Sequence, residues 1–275
     1  MSGGWVAVGT GVARTTSAAS FLLLHGAATT GAIWAGVRAA LGERLVLAPD
    51  RPSTGDLDRE LAMVRGALEA ASVPLVGGAS VPLVGGASVP HAAPWPVRVP
   101  ARAPVVSGET PPGEGVRPAV VFGGVSGGAT LGLAALAAGM PLAAAVLHEP
   151  AVGSLLPGLL APMAEAYASG GVPAFGRALY GPSWRPEDAP ADPGAVARDL
   201  AMFLRFEPAA PVATPGPVVV TVGERSPEVR HRAAAALHRE LGLPVRVLPG
   251  CGHAAHLEAP KAFADLLAEV AATLG

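Results

Sequence analysis

The sequence predicts an α/β protein, a doubly wound and mostly parallel sheet flanked by helices and carrying a helical lid. Three observations predict it. Short apolar runs recur along the chain with helical segments between them, the alternation that builds a parallel sheet covered on both faces. One of these runs ends in a glycine-rich turn, Gly124-Val125-Ser126-Gly127-Gly128, which leads straight into an Ala/Leu-rich stretch. Finally, residues 151–211 lie between two runs and hold Tyr167, Phe175, Tyr180, Trp184, Phe203 and Phe206, half of the chain's twelve aromatic residues.

In chain order the expected strands are Trp5–Val8, Phe21–Leu24, Leu45–Ala48, Ala119–Gly123, Ala143–Leu147, Val218–Thr221 and Val245–Leu248. The expected helices are Gly31–Leu41, Asp56–Ala71, Gly127–Ala138, Pro227–Leu241 and Pro260–Leu274. Residues 118–147 contain no charged side chain and would be flagged as a membrane span by hydropathy alone. Gly123-Gly124, Gly127-Gly128 and Gly139-Met140-Pro141 divide that stretch into strand, helix and strand. Buried parallel strands are themselves near-continuous apolar runs.

Two segments interrupt the alternation. Residues 71–117 form a Pro/Gly-rich insertion that begins with an octapeptide, Ala71 to Gly78, repeated at Ala79 to Gly86. Two copies are too few for a solenoid, and a loosely ordered loop is expected. It leaves a helix and re-enters the strand before Ser126, so it is expected at the N-terminal edge of the sheet, away from the chemistry. The aromatic segment 151–211 lies at the opposite edge and is expected to form a lid of two or three short helices. Residues 1–150 and 212–275 would then make up the core.

The composition bounds the function. Formal net charge is −2 and no Lys/Arg cluster occurs, so binding to nucleic acid or an anionic membrane has no electrostatic support. The one cysteine, Cys251, excludes an intrachain disulfide framework. No signal sequence is recognisable, and a cytoplasmic location is expected. A small molecule is the expected partner.

The turn around Ser126 has the form G-x-S-x-G between a strand and a helix. Such a turn strains the serine backbone, and a Cβ at Gly124 or Gly128 would clash across it. A serine hydroxyl needs a base to become a nucleophile. His253 supplies a candidate, in the loop between the last strand and the last helix. His256 and Glu258 are near it in sequence, but their spacing with His253 matches no common metal-ligand pattern, and no metal or cofactor is expected.

With these residues in view, the chain resembles an α/β-hydrolase of the lid-bearing, single-domain type. Phe21 to Gly26 is similar to the family's strand ending in His-Gly, and Ala48 to Gly55 to a degraded form of its Asp-x-x-Gly turn. Gly124 to Gly128 resembles the nucleophile elbow, and Gly252-His253 with Glu258-Ala259-Pro260 the terminal histidine loop. The resemblance implies Ser126 as nucleophile, His253 as general base, and the N–H groups of Ala27 and Gly127 as an oxyanion hole. It also implies that His25 and Trp34 shape the floor of the site, with structural packing the expected role for His25. From the lid, Tyr180 and Trp184 are expected to contact substrate.

The acid departs from the pattern. Most relatives carry an Asp three residues after the Gly that here is Gly223, where this chain has Ser226. Three options stay open: Glu149 after the preceding strand, as in certain haloalkane dehalogenases; Glu224; or no acid at all. A serine at the elbow suits acyl transfer, and the expected activity is hydrolysis of a carboxylic ester or related acyl bond in a small to medium apolar substrate. An acyltransferase would use the same residues. A non-hydrolytic ligand-binding relative is the other alternative, motivated by Ser226.

Overall fold

A computed structural model describes residues 19–72 and 118–274. The expected strand Trp5–Val8 and the octapeptide repeat, apart from its first two residues, lie outside the described residues. Among the described residues six parallel strands form one sheet: β1 (Ser20–Leu24), β2 (Val46–Leu47), β3 (Val120–Val125), β4 (Ala144–His148), β5 (Val218–Gly223) and β6 (Val245–Leu248), in the order β2-β1-β3-β4-β5-β6. The helices are α1 (Ala35–Leu41), α2 (Leu57–Ala71), α3 (Gly127–Ala137), α4 (Ala161–Tyr180), α5 (Ala195–Phe203), α6 (Glu228–Leu241), α7 (Ala255–Glu258) and α8 (Pro260–Ala272).

The central apolar runs become strands because they are wholly buried where helices cover both sheet faces, while β2 and β6 at the edges are partly exposed. Every residue of β1, β3, β4 and β5 is buried. On one face Leu22, Phe122 and Val220 pack with α2, α3 and α6; on the other Phe21, Leu23 and Val121 pack with α1 and α8. Helix α3 is apolar all round, and its residues from Gly127 to Leu136 are all buried. Among the described residues no helix is long and apolar enough to cross a membrane.

Boundaries shift where local chemistry takes over. Gly31–Leu41 begins as a 3₁₀ turn, Gly31–Trp34, before α1. Helix α2 starts one residue after Asp56, whose carboxylate caps it by accepting from the N–H groups of Asp58 and Arg59 at 3.0 and 3.2 Å. Residues 151–211 contain α4, which is two short helices joined across a break, and the short α5, in line with the two or three short helices expected. The break in α4 lies at Gly170 and Gly171, the latter at φ +60°, two residues before Pro173.

The strand order reverses between β1 and β3: the chain leaves β1 for β2 on one side and returns to β3 on the other. In an open α/β sheet, this is where the loops beyond the strand ends part and leave a crevice. The loop after β1 carries Ala27, and the turn after β3 carries Ser126.

Candidate active site

The turn after β3 is built as its sequence requires. Ser126 has φ +55° and ψ −120°, a conformation L-residues rarely adopt. Glycine makes the turn possible on both sides. A methyl at Gly128 would lie 2.0 Å from the Leu24 carbonyl oxygen, and one at Gly124 would lie 2.6 Å from the Ala129 nitrogen. Only bare backbone fits where α3 leaves β3 against β1. The Ser126 N–H donates to the His148 carbonyl at 2.8 Å, and the Ser126 carbonyl accepts from the Thr130 N–H at 2.9 Å. Backbone hydrogen bonds therefore fix the serine on both sides.

The loop after β1 lies against this turn. A methyl built on Gly127 would be 3.5 Å from the Ala27 nitrogen, so the two expected oxyanion amides are neighbours. Ala28 is at φ +59°, and side chains hold the strained loop. Tyr180 Oη donates to the Ala27 carbonyl at 2.9 Å, Trp184 Nε1 to the Ala28 carbonyl at 2.8 Å, and Thr29 Oγ1 to the Gly26 carbonyl at 3.0 Å. His25 Nδ1 pairs with the Gly26 carbonyl at 2.9 Å, and its Nε2 accepts from the Arg51 N–H at 3.0 Å. These bonds use His25 as a neutral ring, and burial, with Arg51 nearby, lowers its pKa to about 3.

Two expectations about substrate contacts are corrected here. Trp34 does not shape a floor: it is wholly buried and packs on His256 and Phe263, with ring centroids 5.2 and 5.5 Å away. Tyr180 and Trp184 are likewise buried, and their polar atoms are spent on the carbonyls of Ala27 and Ala28 rather than on the cavity. The aromatic residues of 151–211 that do line the cavity beside Ser126 are Phe175 and Phe203. Sequence position cannot separate these pairs, because the distinction lies in which side of α4 and α5 faces the loop.

The carboxylate beside His253 is Glu149. Its Oε2 lies 2.7 Å from His253 Nδ1. Its Oε1 accepts from the Gly223 N–H at 3.0 Å and from the Ser226 hydroxyl. Ser226, where the resemblance leads to the expectation of an acid, therefore donates to a carboxylate that comes from the neighbouring strand β4. Glu149 reaches this place because its backbone turns at φ +48° just past β4, while its N–H continues the ladder to the Thr221 carbonyl at 3.0 Å. Burial alone would raise the pKa of Glu149. The hydrogen bond from His253, with the charges of His253, His148 and Arg230, outweighs burial and holds it well below the usual carboxylate range. Glu224 is placed elsewhere: it is exposed and accepts from the Gly250 N–H at 2.8 Å.

The His253 side chain is only 9% exposed, and its Nε2 has no hydrogen-bond partner among the described residues. Burial lowers its pKa, and Arg230 adds to this against the pull of Glu149. His148 supports the loop from below, accepting from Thr221 Oγ1 at 3.0 Å through Nδ1 and donating to the Gly252 carbonyl at 3.1 Å through Nε2. Burial lowers its pKa to about 4. His256 packs on Trp34 and Tyr180 inside α7. Among the described residues no group of three or more His, Cys, Asp or Glu side chains could hold a metal ion.

The cavity beside Ser126 is small, about 30 Å³. It is a slot rather than a chamber. Leu160, Met163, Phe175, Leu179, Leu200 and Phe203 wall it, and its polar lining includes Thr130, Glu149 and Arg230. Arg230 was not apparent in the sequence. Its one signal is a cation in the first turn of a helix, where an anion is the favoured charge.

Such a site can do acyl chemistry. It offers a serine on a fixed turn, two adjacent amides, and a buried imidazole whose Nδ1 is held by a carboxylate. Several solved structures share the architecture. A lipase-esterase related protein from Clostridium acetobutylicum superposes with a TM-score of 0.61 at 13% identity, covering 93% of this chain and 95% of that one. The RedJ thioesterase of the prodiginine pathway in Streptomyces coelicolor gives 0.58 at 16%, covering 93% and 90%. The type II thioesterase BorB from the borrelidin biosynthetic cluster gives 0.57 at 19%, covering 93% and 94%. At these identities the likeness speaks for the fold alone. No curated protein sequence matches the chain. The profile of the Alpha/beta hydrolase family matches residues 21–266, nearly all of its length, and the chain belongs to that family.

Proposed function

We propose that the protein is a serine hydrolase that cleaves a carboxylic ester or related acyl bond, thioesters included, of a small to medium apolar substrate. The observation that carries this reading is the 2.7 Å contact between Glu149 and His253 Nδ1. It fixes the ring tautomer and leaves Nε2 as the nitrogen free to take a proton.

Ser126 Oγ attacks the acyl carbon as His253 Nε2 takes the hydroxyl proton. The Ala27 and Gly127 N–H groups receive the oxyanion. Collapse of the tetrahedral adduct breaks the bond to the leaving group, which departs with the proton from His253. Water then attacks the acyl-serine, gives its proton to His253, and releases the acid as the proton returns to Ser126. Glu149 stays ionised throughout and stabilises the imidazolium. Acyl transfer to another acceptor would differ only in what replaces water.

The non-hydrolytic alternative is motivated by Ser226 and would be favoured by a histidine without a carboxylate, whereas Glu149 lies within reach of His253. Activity decides between the readings. A fluorophosphonate should label Ser126, and Ser126→Ala should lower turnover of short p-nitrophenyl esters by about 10⁴-fold or more. Unchanged turnover in that variant would remove the proposal.

A further inference from the structure

Among the described residues two arginines are buried, Arg51 and Arg230, and they are not treated alike. Arg51 is fully engaged. Its Nη1 and Nη2 pair with the Asp199 carboxylate at 3.3 and 2.6 Å, and its Nε donates to the His25 carbonyl at 3.0 Å. The Arg230 side chain is 9% exposed, yet among the described residues it donates no hydrogen bond. Its nearest anion is Glu149, 3.6 Å from Nε. Glu149 already serves the His253 ring, the Gly223 N–H and the Ser226 hydroxyl. Arg230 also stands in the first turn of α6, the end of a helix that disfavours a cation. Unlike His253 Nε2, none of the Arg230 nitrogens is both sealed from solvent and without a partner, so its donors can still take a ligand.

A ligand reaches Arg230 from the side of the serine, because Arg230 lines the same slot as Ser126, a slot that must widen to admit an acyl chain. We propose that Arg230 is the anion-recognising residue of this cavity, and that the acyl chain of the substrate carries a carboxylate distal to the scissile bond. A guanidinium is a planar fork that matches a carboxylate with two parallel hydrogen bonds. Nε is the atom nearest Glu149, so the Nη1/Nη2 edge is the one left for a ligand. Leu160, Met163 and Leu179 contribute apolar wall, which keeps water from competing for that edge. The proposal rests on the hydrolase reading above and adds the substrate class to it.

The test compares matched substrates. Mono-p-nitrophenyl esters of succinate, glutarate and adipate are assayed against the p-nitrophenyl esters of butanoate, pentanoate and hexanoate. At the best chain length the wild type should favour the charged ester in kcat/KM by at least about tenfold, as expected of a charged hydrogen-bonded pair. Arg230→Met should bring that ratio to about one or below, and Arg230→Lys, which keeps the charge but loses the fork, should retain part of it. A preference for the neutral ester at every length in the wild type overturns the proposal. So does a ratio unchanged in Arg230→Met, which is what a mere counter-ion of Glu149 would give. If the wild type turns over neither series, the hydrolase reading has failed, and glutarate binding by calorimetry decides the proposal without turnover. Binding to the wild type and to Ser126→Ala that is lost in Arg230→Met supports it; no binding to the wild type overturns it.

Discussion

Ser126 and Glu149 sit one residue past the ends of neighbouring parallel strands, and both turn there at positive φ, +55° and +48°. Their support differs. The Ser126 turn is held by its immediate neighbours, with Gly124 and Gly128 clearing space for backbone within a few residues of the serine. The Glu149 turn is held from a distance, by Gly223, Ser226 and His253, which lie beyond the whole 151–211 segment. Comparable backbone strain can thus be specified locally or by tertiary contacts, and only the first kind leaves a motif.

Breaking the local turn should have the largest effect. In Gly128→Ala the new methyl meets the Leu24 carbonyl oxygen at 2.0 Å, with the Leu24 carbon and the His25 oxygen close behind, so α3 must move off β1. Even an ångström of displacement at the serine is enough for about a 10²-fold loss. We expect at least that loss in kcat/KM for short esters, together with a lower Tm. A variant with wild-type values of both would show that the turn has room it is not expected to have.

Loosening the distant turn should cost less. Ser226→Ala removes one donor to Glu149 and leaves the Gly223 N–H and His253 in place. One hydrogen bond to a charged group is worth about 1.5–3 kcal/mol, and roughly a tenfold loss in kcat is expected, with KM little changed. A loss as large as that of Gly128→Ala would mean that Ser226 does more than hold Glu149.

The pH dependence is the gentlest probe. His253 acts as a base only when neutral, and its pKa lies below the ordinary 6.5 because burial and then Arg230 disfavour the cation. The acid limb of kcat/KM should therefore fall below pH 6.5. Stability has its own pH window. His25 and His148 titrate near 3 and 4 in the folded chain against 6.5 when exposed. Since folding lowers these values, the stability they contribute is fully present above pH 6.5 and is lost as the pH falls toward 4. Chemical denaturation midpoints should drop between pH 7 and pH 5; midpoints that hold constant would contradict the buried neutral rings.

The contrast between the two turns also explains what could be read from the sequence. Val120–Val125, Ala144–His148 and Val218–Gly223 were legible because strands buried on both faces must be apolar along their whole length. The Ser126 turn was legible because its glycines are adjacent in the chain. The choice between Glu149 and Glu224 was not. Each follows a strand at the same sheet edge, and a reversal of the backbone at Glu149 brings one of them to His253 while the other meets Gly250. The cavity lining was illegible for a related reason. Tyr180 and Phe175 share α4, and their orientation depends on the loop at Ala27, far away in sequence.

The central claim is that Glu149 is the acid that serves His253, and one side-by-side measurement tests it most directly. In kcat/KM for a short p-nitrophenyl ester, Glu149→Gln should fall by about 10³- to 10⁴-fold, as when the carboxylate of a Ser-His-acid triad is replaced by its amide. Glu224→Gln should stay within a few-fold of the wild type. Near-wild-type activity in Glu149→Gln, or the larger loss in Glu224→Gln, would contradict the account.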